Sequence, residues 1–134
     1  MTATHLADTS AWAELHRSDV AARLVSLIVG GAVATCGVVD LEILSSVGDA
    51  TEHAEIVAER RMFPRIVVDD TVLDRALEVQ GRLGPDEVRV TALVVAAAAE
   101  HATLVVLHHD AAFDRIAAIT GQPTEWVMPT GTLL

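Results

Sequence analysis

The chain contains no lysine. Its nine basic residues are all arginine, set against nineteen acidic ones, for a formal net charge of −10 over 134 residues. Non-specific grip on nucleic acid relies on Lys and Arg neutralising phosphates, so a surface this acidic disfavours it. An RNA substrate stays open, because arginine binds phosphate bidentately and carboxylates gathered round divalent cations reverse the local field. The plainer role of the acidity is to keep a chain with 51% hydrophobic residues in solution. Lysine's absence also excludes a phosphorylation-receiver domain, which needs one near its last strand. A single cysteine, Cys36, excludes a disulfide framework and a cysteine metal cluster, and its apolar neighbours predict an inert buried thiol. No apolar run reaches the roughly eighteen residues of a membrane span, since Arg23 and Ser26 interrupt 20–29 and the run from Ala92 to Ala99 is short. No basic-then-apolar leader opens the chain, so a cytoplasmic location without membrane attachment is expected. A dinucleotide-binding sheet would want a Gly-x-Gly-x-x-Gly turn after the first apolar run, where Asp8-Thr9-Ser10 stands instead.

What is present is an alternation of strand and helix without repeats, low-complexity tracts or linkers, of a length that supports one buried core. A single domain over 1–134 is expected. Thr4 to Ala7 reads as a strand, Ser10 to Arg17 as a helix, and Asp19 to Val29 as a second helix stopped by Gly30-Gly31. Ala32 to Cys36 is a strand and Val38 to Val47 a helix with Val39, Glu42 and Ile43 on nearby turns. Ala50 to Arg61 is a charge-laced helix, and Ile66 to Val68 follows as a short strand. Asp70 is expected to cap the next helix, which Gly84-Pro85 closes. Val90 to His101 reads as a buried alanine-rich helix and Thr103 to Leu107 as an apolar strand covered on both faces. A helix from Ala111 to Ile119, a turn at Gly121-Gln122-Pro123 and a strand from Glu125 to Met128 complete the chain. Such alternation implies a three-layer α/β/α fold around a central parallel sheet.

Three acids share one geometric description: Asp8 after the first strand, Glu42 on the helix after the second, and Asp110 after the strand ending at Leu107. Parallel strands place their carboxyl ends on one edge, where ligands bind, so the three can converge although far apart in sequence. Convergent carboxylates suit Mg²⁺ or Mn²⁺, and such an ion polarises a phosphodiester and activates water. Spacing alone favours a plainer reading, in which Asp8 and Asp110 cap helices and Glu42 pairs with an arginine. His108 and His109 are adjacent in extended chain and so point opposite ways, which speaks against both serving one site. Trp12 and Trp126, beside apolar runs, read as core.

The segments Leu6-Ala7-Asp8-Thr9-Ser10-Ala11, Val38-Val39-Asp40-Leu41-Glu42-Ile43, Ala96-Ala97-Ala98-Ala99-Glu100 and Leu107-His108-His109-Asp110-Ala111-Ala112-Phe113-Asp114-Arg115-Ile116 resemble a PIN domain. With the ending Thr120-Gly121-Gln122-Pro123-Thr124-Glu125-Trp126-Val127, they are similar more narrowly to VapC-type toxins of toxin–antitoxin pairs. The resemblance covers nearly the whole chain. It implies a Mg²⁺- or Mn²⁺-dependent endoribonuclease, a homodimer, held inactive by a cognate VapB-type antitoxin. On that resemblance Asp8, Glu42 and Asp110 are the catalytic, metal-holding acids, with Thr9, Ser10 and Asp114 in support. The chain also departs from the pattern. Ala92 stands where the family has an aspartate opening the alanine-rich helix, and Ala112 where it has another before Phe113. Either substitution is natural or engineered, or the register near Pro85 shifts and Asp86 or Glu87 substitutes. Two function classes follow: a ribonuclease weakened by the missing acids, and an inactive fold that serves as an antitoxin-binding partner.

Overall fold

In the computed structural model, which describes residues 2–84 and 88–128, strand β1 (His5–Ala7) leads into a four-residue helix α1 (Thr9–Trp12) and then α2 (Ser18–Val29). Strand β2 (Val33–Cys36) feeds α3 (Gly37–Leu44), followed by α4 (Ala50–Arg60), β3 (Arg65–Ile66) and α5 (Asp70–Leu83). Helix α6 (Val90–Ala102), strand β4 (Val105–His108), α7 (Ala112–Thr120) and β5 (Thr124–Trp126) complete the order. The strands form one parallel sheet in the order β3-β2-β1-β4-β5.

Side chains alternate across a strand, and that period sorts the core. Leu6, Ala34 and Val106 face α3, α5, α6 and α7, where Val39, Val72, Val95, Ala99 and Phe113 are buried. Their neighbours Ala7, Val33 and Leu107 face the other way, onto Ala11, Val20 and Leu24 of α1 and α2. The sheet is therefore covered on both faces, which is the three-layer arrangement expected. Cys36 is fully buried, and burial raises its thiol pKa, as expected of an inert thiol. No helix among the described residues is long and apolar enough to cross a membrane.

Several expected boundaries shift, among them the strands at Arg65–Ile66 and Thr124–Trp126 and the end of α3 at Leu44, and three of the shifts have clear local reasons. The helix foreseen from Ser10 to Arg17 ends at Trp12, because Glu14 and Leu15 donate to carbonyls three residues back at 3.1 and 3.2 Å and tighten the turn. Arg17 is then extended (φ −86°, ψ 128°) and α2 starts afresh. Asp69, not Asp70, caps α5: its carboxylate accepts from the Val72 N–H at 3.1 Å. Thr103 is no strand residue. It takes the left-handed conformation (φ 61°, ψ 44°) that terminates α6, so β4 begins at Val105.

Candidate active site

Asp8 follows β1 directly and caps α1, its Oδ2 accepting from the Ser10 backbone N–H at 3.0 Å. Pairing of Ala7 with Leu107 lays the end of β1 beside the end of β4. The two following loops are tied by the Ser10 hydroxyl, which accepts from the His109 N–H at 2.9 Å. In the second loop Asp110 accepts from the Ala112 N–H through Oδ1 at 2.9 Å, one residue ahead of Ala111, the N-cap of α7. Glu42 arrives from α3 and is fixed by two hydroxyls: Thr9 donates to its Oε1 at 2.8 Å and Thr91 to its Oε2 at 3.1 Å.

The three acids meet on one guanidinium. Arg89, at the N-cap of α6, donates from Nη2 to Asp8 Oδ2 at 3.2 Å and from Nη1 to Glu42 Oε2 at 3.1 Å. Its Nε lies 3.2 Å and its Nη2 3.1 Å from Asp110 Oδ2. The Asp8 side chain is wholly buried and those of Glu42 and Asp110 are 27% exposed, so their mutual repulsion requires a cation nearby. Partial burial works against the charged guanidinium, yet Asp8, Asp110 and Glu42 outweigh it and raise its pKa. The plainer reading thus holds for Asp8 as a cap and Glu42 as an arginine partner at the same time as the acids converge, while the N-cap of α7 is Ala111 and not Asp110. Arg89 itself and the Thr91 hydroxyl escape a reading by spacing. The one available signal was an arginine opening the alanine-rich helix, beside the expected ligand edge.

His108 is fully buried, its ring between Phe113 and Trp126 at centroid distances of 4.9 and 5.0 Å. Its Nδ1 accepts from the Asp110 N–H at 3.2 Å, which places the ring proton on Nε2. Burial lowers its pKa and keeps it neutral, although Asp114, Asp8 and Asp110 pull the other way. His109 turns instead toward Glu14, 3.9 Å away. Asp114 is exposed and accepts from the Trp126 indole N–H at 3.3 Å; with Asp8 and Asp110 it acts on His108, but its bond is to Trp126 rather than to Arg89. Ala92, in the first turn of α6, is fully buried, and Ala112 nearly so at the start of α7. Asp86 and Glu87 lie outside the described residues.

Three carboxylates supply the hard oxygen donors that Mg²⁺ and Mn²⁺ take. Asp8 Oδ1 is buried with no hydrogen-bond partner among the described residues, leaving an acceptor for a cation. The donor set therefore fits such an ion. With the guanidinium seated among them, no three His, Cys, Asp or Glu side chains among the described residues stand ready to close around one. A largely apolar cavity of about 660 Å³ is lined by Trp12, Leu15, Ile28, Ile43, Met62 and Phe63 among others, and by none of the three acids. Trp12 belongs to the helix that Asp8 caps, and Ile43 follows Glu42, so cavity and acids share two helices.

The PIN domain family model matches residues 6–119. Ribonuclease VapC18 of Mycobacterium tuberculosis H37Rv is 41% identical over 132 residues, covering 94% of this chain and 96% of its own. Ribonuclease VapC21 of the same organism is 39% identical over 137 residues, covering 98% and 99%. Among solved structures, DNA-bound VapBC from Salmonella typhimurium superimposes with a TM-score of 0.75 at 14% identity, over 94% of this chain and 99% of that one. VapBC2 from Rickettsia felis, bound to a promoter DNA fragment, gives 0.72 at 14% identity, over 94% and 98%. At such identities the likeness is one of fold.

Proposed function

The chain belongs to the PIN domain family, and from that premise we propose that it is a divalent-metal-dependent endoribonuclease, the toxin of a toxin–antitoxin pair. The observation that carries this reading is the meeting of Asp8, Glu42 and Asp110 on one cation position at the carboxyl edge of the sheet. These three would hold Mg²⁺ or Mn²⁺. When bound, such an ion polarises the phosphodiester and lowers the pKa of the attacking water. Asp8 is oriented by its cap bond to Ser10, Glu42 by Thr9 and Thr91, and Asp110 by the Ala112 N–H. Preset carboxylates of this kind spare the site reorganisation as the reaction proceeds. Alanine at 92 and 112 leaves the cluster fewer anionic oxygens, which weakens ion binding and turnover. The trio that is kept favours the enzyme over an inactive antitoxin-binding fold.

The partners follow from the same surface. A VapB-type antitoxin whose tail carries apolar residues and arginine would suit the apolar cavity by Trp12 and Phe63 and the acidic edge formed by Asp8, Glu42 and Asp110. Val25, Val29 and Leu41 are 55, 81 and 71% exposed on α2 and α3, an apolar excess suited to a homodimer. The location proposed is cytoplasmic.

Asp8→Asn tests the reading. Asparagine caps a helix about as well as aspartate, so the metal-free fold should survive. Mn²⁺ binding and cleavage of a fluorogenic RNA should fall by about 100-fold or more, at least what is lost when a ligand's supporting residue is removed. Cleavage unchanged in the variant, or unaffected by EDTA in the parent chain, would overturn it.

A further inference from the structure

We propose that Arg89 is an intrachain stand-in for the metal ion. Its guanidinium holds Asp8, Glu42 and Asp110 together in the metal-free protein and withdraws from them when a divalent cation enters. The inference rests on the reading of these acids as the metal site.

Each acid offers Arg89 a single oxygen, Asp8 Oδ2, Glu42 Oε2 and Asp110 Oδ2, and all three oxygens are within 3.2 Å of its nitrogens. An ion drawing on those oxygens must take them from the guanidinium, because a cation and a guanidinium repel each other at such separations. Loss of a proton cannot resolve the conflict, since arginine stays charged. Movement can. The Arg89 side chain is 41% exposed, and its residue is the N-cap of α6 rather than part of the helix interior, so it can swing to solvent without unwinding a turn. Its remaining bond, to the Thr91 hydroxyl at 2.8 Å, is given up in that swing, while Thr91 stays on α6 and keeps its bond to Glu42 Oε2. The acids cannot follow outward. Asp8 is wholly buried and bound to α1, and Glu42 is held by Thr9. Without a replacement cation the buried Asp8 charge would stand unpaired, which is costly. The site is thus never without a positive charge, and metal affinity is set by the difference between two occupants.

The test uses the full chain and Arg89→Gln. In calorimetric titration the variant should bind Mn²⁺ roughly tenfold or more tightly, since a competing unit charge is gone. In EDTA it should melt below the parent chain, and saturating Mn²⁺ should close the gap. Removing a nearby charge would tighten binding even without displacement, so the parent chain is also followed by ¹⁵N NMR of its arginine side chains. In EDTA the Arg89 Nη signals, assigned by their loss in Arg89→Gln, should show slowed rotation. Mg²⁺ should move them to solvated values along the binding isotherm. Arg89 signals unmoved at saturating Mg²⁺, or equal or weaker Mn²⁺ binding by Arg89→Gln, would overturn the inference. Asp8→Asn separates the two levels. If it abolishes Mn²⁺ binding while Arg89 stays put, the metal-site reading stands and only the displacement fails. If it binds Mn²⁺ like the parent chain, both fail.

Discussion

Arg60 donates from Nε to Asp40 Oδ1 at 2.9 Å, and neither side chain is more than 7% exposed. The guanidinium lies 4.7 Å from the ring centroids of both Trp12 and Phe63, and its Nη2 donates to the Thr35 hydroxyl at 3.0 Å. Thr35 in turn donates to Asp40 Oδ1 at 2.8 Å, and Arg65 reaches Asp40 Oδ2 at 2.6 Å. The network fastens α4 to α3 and β2, two residues before Glu42. It therefore sets the rotation of the helix that delivers a carboxylate to the site.

Removing Asp40 strands a buried arginine. Asp40→Ala should cost about 3 kcal/mol or more, the size seen when one partner of a buried pair is deleted. Arg65 is 54% exposed at its side chain, so Arg65→Gln should cost less than about 1 kcal/mol. Urea unfolding at constant slope would measure both. Equal costs would mean that Asp40 is held mainly by the exposed arginine, and the account of a buried staple would fail.

The sheet and its flanking helices were legible because apolar runs and breakers recur with the right period, and parallel strands then fix where Asp8, Glu42 and Asp110 end up. What escaped depends on contacts that no spacing encodes. Arg89 is marked among nine arginines only by its place at the start of the alanine-rich helix, and no spacing says that it reaches all three acids. Asp40 is not marked by spacing, because its arginine partners lie twenty and twenty-five residues away. Thr103 has strand propensity but closes a helix, where the needs of the chain's turn override the residue's preference. Asp69 and Asp70 are equal candidates for a cap by composition, and backbone geometry alone separates them.

His108 makes stability depend on pH. Its pKa is lowered in the fold, mainly by burial, from the ordinary 6.5. Below that value the unfolded chain binds a proton that the folded chain refuses, so this contribution is fully present above about 6.5 and is lost as the pH falls. The slope for one proton is at most about 1.4 kcal/mol per pH unit. His108→Asn keeps an oxygen where Nδ1 accepts from the Asp110 N–H but removes the titration. Unfolding free energies in EDTA at pH 7 and pH 5 should therefore differ less in the variant than in the parent chain. An undiminished difference would show that other groups carry the acid sensitivity.

Ala92→Asp restores a carboxylate where the family resemblance expects one. The position is fully buried in the first turn of α6, three residues after Arg89. A negative charge there favours the helix N-terminus, while the extra atoms crowd a packed site at a cost of about 1 to 3 kcal/mol. The two effects separate with metal. In EDTA the variant should melt below the parent chain; with Mn²⁺ it should gain more stability than the parent does, because a fourth carboxylate binds the folded site only. Mn²⁺ affinity and ribonuclease activity should both rise, and Asp8→Asn in the same background should cancel both gains. Ala112→Asp should add less, since Asp110 already supplies charge to that loop through a residue whose Oδ1 is held by the Ala112 N–H. If Ala92→Asp is destabilised equally with and without Mn²⁺, its carboxylate does not reach the ion, and the proposal that alanine at 92 weakens the site fails.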